Sequence, residues 1–428
     1  MKKYAAVVSF LLLLLSAGPI SAGNFVFSGN TEKDPLSYKT GEEIVFNVVL
    51  LEDGARVGGR RLVWTCEGDD GRCLEGNAVS SETEPLVIHT RLDKPGFVHL
   101  QVSVLDENGK PILPQYYDGN WNFVRDESHQ LNAGAAAEPE KMTSFPEPAD
   151  FDAFWEKQKQ RLAAVPMNPR LTEVESGSDE VVTYDFRLDA ADETPVSGYF
   201  SKPKEAAPKS LPGYMFLHGY GVYSAFKQPD IARGALVVNA NIHGLENGKD
   251  DAFYAELKKG PLFDYGFLAE TNRDPETSYW NGVVLRMLRA LEFLKSQPEW
   301  DGKNIRLVGG SQGGFQAIAL AGLDPAVSKV EIGVPWMCDL SGTAESGRVP
   351  GYYRPTWTPA LGYYDTVNHA KRVKCPVEIR AGLGDYISPP SGVMILYNNL
   401  AGPAALTFTQ GQTHMYGMPN AAVSVLSK

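Results

Sequence analysis

Cysteine is scarce in this chain. Four occur in 428 residues, and none of their spacings is that of a zinc site. No internal repeat is visible, which gives no indication of a stacked-repeat architecture. Beyond the N-terminus no apolar run reaches the roughly 20 residues that a membrane-spanning helix needs. Basic charge is short as well: the formal net charge is −12, which argues against a surface that tracks nucleic-acid phosphates. That balance says little about a neutral substrate. What is present is an ordinary soluble composition, 43% hydrophobic and 21% charged, on a chain long enough for two domains and at least one large core.

The N-terminus reads as a targeting segment. Lys2 and Lys3 form a basic start, residues 5–15 are apolar, and Ser16-Ala17-Gly18-Pro19 breaks the run before Ala22, the expected cleavage residue. A signal peptide over residues 1–22 is therefore predicted, with export to the periplasm or medium. A membrane anchor is the weaker reading, because the run is short and interrupted. No cysteine lies near the cut, which argues against a lipid anchor. Cys66 and Cys73 enclose the polar loop EGDDGR and are candidates for a disulfide across a turn. Cys338 and Cys375 sit beside apolar residues and read as buried thiols.

Residues 23–125 read as an all-β domain. Runs at 44–50, 61–64 and 98–104 are strand-like, punctuated by LEDG, GDDG and DENGK. Short strands with such turns suggest an immunoglobulin-like sandwich. His89 and His99 fall in or beside strands, as solvent-facing or core-edge residues. Residues 126–149 are rich in alanine, proline and charge and read as a linker. Asp150 is the expected cap of a helix carrying Phe151, Phe154, Trp155 and Leu162 on a core stripe. Over 150–428 strands and helices alternate. VVTYDFRL and PVSGYFSKP read as paired strands, PGYMFL and GALVVN as further strands, and 280–295 as a long amphipathic helix. Such alternation implies a mainly parallel, doubly wound sheet covered on both faces, with an active site at the carboxyl ends of its strands.

The stretch NIRLVGGSQGGFQAIALAGL, residues 304–323, organises the rest. A short buried strand runs into Gly309-Gly310-Ser311-Gln312-Gly313-Gly314 and then a helix. That fits the G-x-S-x-G elbow, in which a sharp strand-to-helix reversal strains the central serine and leaves no room for flanking side chains. The competing reading is a glycine-rich turn with an idle serine. A serine becomes nucleophilic only beside a base, itself oriented by an acid. In this chain order only His369 and His414 follow Ser311. His369 is placed on a helix leading into a strand. His414, in GQTHMYG just past the strand ALTF, is where the base belongs. Asp385, in GLGDYISPP one strand earlier, is the expected acid. Asp339, close behind a strand, is its rival, and Asp365 reads as a helix cap. The oxyanion amides are expected from Gln312, directly after the nucleophile, and Tyr220 in HGYG. His218 reads as a structural residue of that loop. No metal or organic cofactor is implied.

Over roughly residues 145–420 the chain resembles the acetyl xylan esterase/cephalosporin C deacetylase family of α/β-hydrolases. The likeness is carried by FDAFWEKQKQRL, LHGYG, RALEFLKSQPEWDGKNIRLVGGSQGG, VPWMCDL, and the run from VNHAKRVKCPV to GLGDYISPPSGVMILYN. It implies a triad of Ser311, Asp385 and His414 with oxyanion amides from Gln312 and Tyr220. The sequence departs from the family in three ways. His243-Gly244-Leu245 stands where the family has Arg-Gly-Gln, Met415 follows His414 in place of a glutamate, and the N-terminal β domain is extra. His243 is weighed as a partial replacement for the arginine's bracing role against a surface or buried structural histidine. These departures bear on the exact ester substrate and on the family's ring-like hexamer but not on the triad, so homo-oligomerisation is carried only as an expectation from the likeness.

The expectation is thus an exported serine esterase that removes acetyl groups from a carbohydrate such as acetylated xylan or its oligosaccharides, with no nucleic-acid partner. Tyr352, Tyr353 and Trp357 are candidates to stack on sugar rings or to pack a helical excursion. Two rivals stand beside it. One is a prolyl-oligopeptidase-like peptidase, against which Gln312 and the PPS loop speak. The other is a non-catalytic glycan-binding protein with a decayed hydrolase domain.

Overall fold

The computed structural model describes residues 25–112, 115–117, 123–126, 129–415, 417–418 and 421–428. The expected signal peptide lies outside the described residues. No helix among the described residues is long and apolar enough to cross a membrane.

The N-terminal part is all β, built from two four-stranded antiparallel sheets. One joins Phe25–Thr31, Ile44–Glu52, Ala55–Arg56 and Leu86–Thr90; the other joins Gln130–Ala137, Gly96–Val104, Arg61–Gly68 and Cys73–Val79 in that order. Side chains alternate across each strand. Phe46, Val48 and Leu50 therefore meet Leu62, Val98, Leu100, Val102 and Leu131 in one core between the sheets.

The alanine-rich stretch expected as a linker contains the strand Gln130–Ala137. This strand is buried on both faces, so apolar alternation disappears and small residues take its place. Leu131, Ala133, Ala135 and Ala137 face the sandwich core. On the other face a Cβ at Gly134 would come within 2.5 Å of the Leu383 carbonyl oxygen. Only a glycine fits so close an approach, and that composition reads as loop when pattern alone is used.

The expected disulfide is not formed: Cys66 and Cys73 are free. They lie on adjacent strands, but Cys73 is opposite Glu67, so it shares a face with that residue and not with Cys66. Cys66 is buried in the core and Cys73 is exposed. Burial pushes the Cys66 thiol up to about 12. Cys338 and Cys375 are half-buried.

The second part is built on a ten-stranded mixed sheet. Its strands are β1 Arg170–Val174, β2 Val181–Leu188, β3 Val196–Pro203, β4 Leu211–Leu217, β5 Leu236–Asn241, β6 Trp300–Gly310, β7 Lys329–Gly333, β8 Val377–Gly382, β9 Ala404–Thr409 and β10 Val423–Ser427. Their order is β1-β2-β3-β5-β4-β6-β7-β8-β9-β10. From β5 through β9 neighbours are parallel, and the outer pairings are antiparallel. Parallel neighbours need crossovers, and helices supply them on the sheet faces. Helices α1 Phe151–Ala163, α2 Tyr279–Lys295, α3 Gln312–Leu323 and α4 Pro390–Asn399 contribute most of that cover.

Asp150 does occupy the cap position of α1, but its side chain caps no helix amide and instead accepts from the Tyr363 hydroxyl. Helix α2 is more deeply buried than one apolar stripe implies, since it lies between the sheet and α1. Even Arg286 and Arg289 are under 5% exposed. Their guanidiniums donate to the carbonyls of Ile242 and of Leu162 and Val165, which keeps buried charge hydrogen-bonded. Wholly buried Trp155, Trp280, Phe293 and Phe315 anchor this core, each contributing at least ~1.5–3 kcal/mol.

Candidate active site

Three loops leave the carboxyl edge of the parallel strands. They follow β6, β8 and β9 and carry Ser311, Asp385 and His414 respectively. Ser311 caps α3 with φ 54° and ψ −119°, a region that non-glycine residues seldom adopt. The glycines around it answer to close approach. A Cβ at Gly309 would lie 2.4 Å from the Gly313 carbonyl oxygen, and one at Gly313 would lie 2.4 Å from that of Leu217. At Gly310 the nearest such atom is 3.8 Å away, so the steric demand falls on positions −2 and +2 of the serine. The Ser311 amide donates to the Gly333 carbonyl at 2.9 Å, and its carbonyl accepts from Trp336 at 3.0 Å. The strained turn is thereby tied to the end of β7.

Asp385 and His414, 29 residues apart, are brought together. The imidazole Nδ1 donates to Asp385 Oδ2 at 2.8 Å. The other carboxylate oxygen accepts the amides of Ile387 and Ser388, both at 2.9 Å. Asp385 is fully buried, while His414 is half-buried. With Nδ1 spent as a donor, the neutral ring has Nε2 as its proton acceptor. Ser388 adds a tie that sequence reasoning missed: its hydroxyl donates to the Val334 carbonyl at 2.9 Å. Val334 itself holds φ 42°, which nothing in a β-branched residue's sequence signals.

The rivals are engaged elsewhere. Asp339 is buried against Arg348 at 3.3 Å, and burial pushes its carboxyl up to about 8. Asp365 accepts the Val367 amide and also those of Asp339 and Leu340, so it caps its own helix and ties down the start of the preceding one, Leu340–Ser346. His369 is buried and donates to the Tyr363 carbonyl at 3.1 Å. His99 is neither solvent-facing nor idle: it is 4% exposed and stacks on Tyr386, beside Asp385.

Gln312 is buried in the first turn of α3, where backbone amides have no intrahelical acceptor. Its side chain accepts from the Tyr265 hydroxyl at 3.2 Å. Tyr220 lies in the loop after β4, 45% exposed, with its ring stacked on Tyr265. That loop is held at several points. His218 Nδ1 donates to the Gly219 carbonyl at 2.7 Å, and Gln316 of α3 donates to the His218 carbonyl at 2.7 Å. The Gly221 amide donates to Tyr265 at 2.9 Å, and its carbonyl accepts from His243 Nε2 at 2.9 Å.

His243 therefore braces the loop after β4. Because Nε2 carries the proton, Nδ1 accepts from the Tyr279 hydroxyl. Burial lowers its pKa to about 3, so the ring is neutral. Tyr265 and Tyr279 are bracing residues that the sequence did not signal, because isolated tyrosines at a turn and a helix start fit core packing equally well.

Of the candidate stacking aromatics, Tyr352 and Tyr353 are exposed. Tyr352 donates its amide to the Tyr386 carbonyl at 2.6 Å. Trp357 is half-buried and lines a cleft of about 550 Å³ with Phe145, Arg273 and Glu345. None of the residues discussed around Ser311 lines that cleft.

A mixed sheet with a strand–elbow–helix unit, a hydrogen-bonded acid–histidine pair and a braced loop at one edge defines a protein of the α/β-hydrolase esterase class. The chain belongs to the acetyl xylan esterase (AXE1) family, whose sequence pattern matches residues 139–353 and 356–426. It is a carboxylic ester hydrolase, and its relatives support acetyl esterase activity. Acetyl esterase Axe7A of Xylanibacter ruminicola is 28% identical over 338 residues, covering 76% of this chain and 72% of that protein. Acetyl xylan esterase from Paenibacillus sp. R4 is similar in structure at TM-score 0.55 and 28% identity, covering 65% of this chain and 93% of that one. Acetyl Xylan Esterase 1 from Thermoanaerobacterium sp. JW/SL YS485 shares the fold, at TM-score 0.53 and 21% identity, over 65% of this chain and 92% of that one.

Proposed function

We propose that this protein removes acetyl groups from a carbohydrate ester through a Ser311–His414–Asp385 triad and an acyl-enzyme. The observation that carries the reading is the His414–Asp385 hydrogen bond of 2.8 Å, on the sheet edge that also bears the strained Ser311. Ser311 Oγ attacks the acetyl carbonyl while His414 Nε2 takes its proton. The negative charge of the tetrahedral intermediate is held by the amides of Gln312 and Tyr220, aided by the positive end of α3. Collapse breaks the ester bond, and the imidazolium returns the proton to the departing sugar hydroxyl. Water, deprotonated by the same histidine, then releases acetate and regenerates the serine. Asp385 orients the ring and stabilises its charged form. These steps draw on side chains, backbone amides and water.

The substrate class is supported by the family and by its relatives, acetyl xylan esterases among them. Exposed Tyr220, Tyr352 and Tyr353 supply stacking faces for a sugar. Under the same reading the N-terminal sheets form an immunoglobulin-like sandwich, the hydrolase domain begins near residue 150, and the chain is exported once its signal peptide is cleaved. Ser311→Ala should lower kcat for acetate release from p-nitrophenyl acetate on the order of 10⁴–10⁶-fold. It should also abolish labelling by a fluorophosphonate. Near-normal turnover in that variant sinks the proposal.

A further inference from the structure

We propose that the N-terminal β sandwich is a working part of the active site: through Gln410 and His99 it positions the loops that carry His414 and Asp385. This rests on the triad reading above. The strand Gln130–Ala137 is the edge of its sheet, and an edge leaves backbone groups without ladder partners. At Gly134 that gap is closed by a side chain of the hydrolase part. Gln410 Oε1 accepts the Gly134 amide at 2.9 Å, and Gln410 Nε2 donates to the Gly134 carbonyl at 2.8 Å. The side-chain amide thus acts as one rung of a β ladder. Gln410 is wholly buried, and its Oε1 also accepts the Gly411 amide at 3.1 Å. Four residues after Gln410 stands His414.

The acid loop is seated against the same strand. A Cβ at Gly384 would come within 2.1 Å of the Asn132 carbonyl oxygen, closer still than the 2.5 Å between one at Gly134 and the Leu383 carbonyl oxygen. The neighbouring strand presents His99, whose ring lies 3.6 Å from that of Tyr386 at an angle of 18°. His99 is held in that plane by donating Nε2–H to Asn132 Oδ1 at 3.0 Å. The two loops are themselves joined, since Gly384 donates its amide to the Gln412 carbonyl at 3.0 Å. Asp385 therefore sits between a glycine wedged on the sandwich and a tyrosine stacked on it. A sandwich that merely decorated the enzyme would have no reason to pair with Gln410 just before His414 and to pack on both residues that flank Asp385.

Gln410 and His99 are positioning residues: neither touches substrate, and both act through the loops they hold. Displacement of a catalytic group by about 1 Å costs as much as 10²-fold in rate. Gln410→Ala and His99→Ala should each lower kcat on p-nitrophenyl acetate about 10–100-fold with KM within about twofold. His99→Phe keeps the stack and should restore kcat to within about threefold of the parent. Thermal unfolding of each variant, measured at the assay pH, shows that the assayed protein is folded. Unchanged kcat in folded Gln410→Ala or His99→Ala overturns the proposal, as does a His99→Phe no better than His99→Ala. Should Gln410→Ala fail to fold, the two His99 variants decide the question. Failure of the underlying reading looks different: the parent itself would lack turnover, or Ser311→Ala would keep it.

Discussion

Ser311 is held at φ 54° against a cost of about 1–3 kcal/mol, and its neighbours show what keeps it there. Its carbonyl and amide are both bonded to the segment around β7, so relaxing the turn would break ties on two sides. His243 does comparable work on the loop after β4, where the family's arginine is missing. The alternatives weighed from sequence, a bracing residue or a buried structural one, turn out to describe one side chain. It is buried, neutral and bonded to Gly221 and Tyr279. Replacing it with alanine would remove the partner of the Gly221 carbonyl, at about 1–3 kcal/mol. His243→Ala should therefore lower kcat about 10-fold through a loosened oxyanion loop, with a smaller change in KM. Steady-state kinetics on p-nitrophenyl acetate check this, and an unaltered kcat in folded protein removes His243 from the loop's support.

The strand–turn–helix around Ser311 was legible from sequence because three signals agree there: a β-branched apolar run, glycines at fixed offsets, and a following helical stretch. The same agreement makes a sharp test. Gly313→Ala places a methyl 2.4 Å from the Leu217 carbonyl oxygen, whereas Gly310→Ala has nothing closer than 3.8 Å. Urea unfolding should show Gly313→Ala destabilised by about 1–3 kcal/mol and Gly310→Ala near the parent. Equal effects would mean that close approach does not explain the motif. Elements were read well where burial alternates along the run, as for β2, and where an aromatic run pairs with such a strand, as for β3; the bounds of both fall within a residue of expectation. Two kinds were not. Strand Gln130–Ala137 is buried on both faces and glycine-close to a neighbour, so its composition imitates a linker. Strand β1 is largely exposed, so its sequence carries no alternation to read. The acid–histidine pair was legible through chain order. Gln410, Ser388, Tyr265 and Tyr279 were not, because bracing depends on which loops fold together and leaves no spacing behind.

Across the molecule, protonation opposes itself. His99 and His218 are lowered to about 4, and His243 and His369 to about 3, in each case chiefly by burial. A histidine depressed in the folded state stabilises the fold above its unfolded pKa near 6.5, and that stability is lost as pH falls towards the folded value. The buried acids act with the opposite sign. Burial raises Asp69 and Asp365 to about 6 and Asp339 to about 8. Their contribution is full below an unfolded value of 3.8 and is lost as pH rises through the raised one. Between about pH 5 and 7 the two sets partly cancel, so the parent's unfolding free energy should fall towards pH 5 by less than the histidines alone would give. The histidine term is exposed by removing one member. For His99, the fall from 6.5 to about 4 corresponds to roughly 3 kcal/mol when fully lost. Because phenylalanine has no proton to take up, His99→Phe should gain on the parent by about 2–3 kcal/mol between about pH 7.5 and 4.5. Urea unfolding of both proteins at each pH measures the difference. A gap that stays constant with pH would mean that His99 is not kept neutral by the sandwich–hydrolase interface, because water reaching its ring would let it titrate alike folded and unfolded.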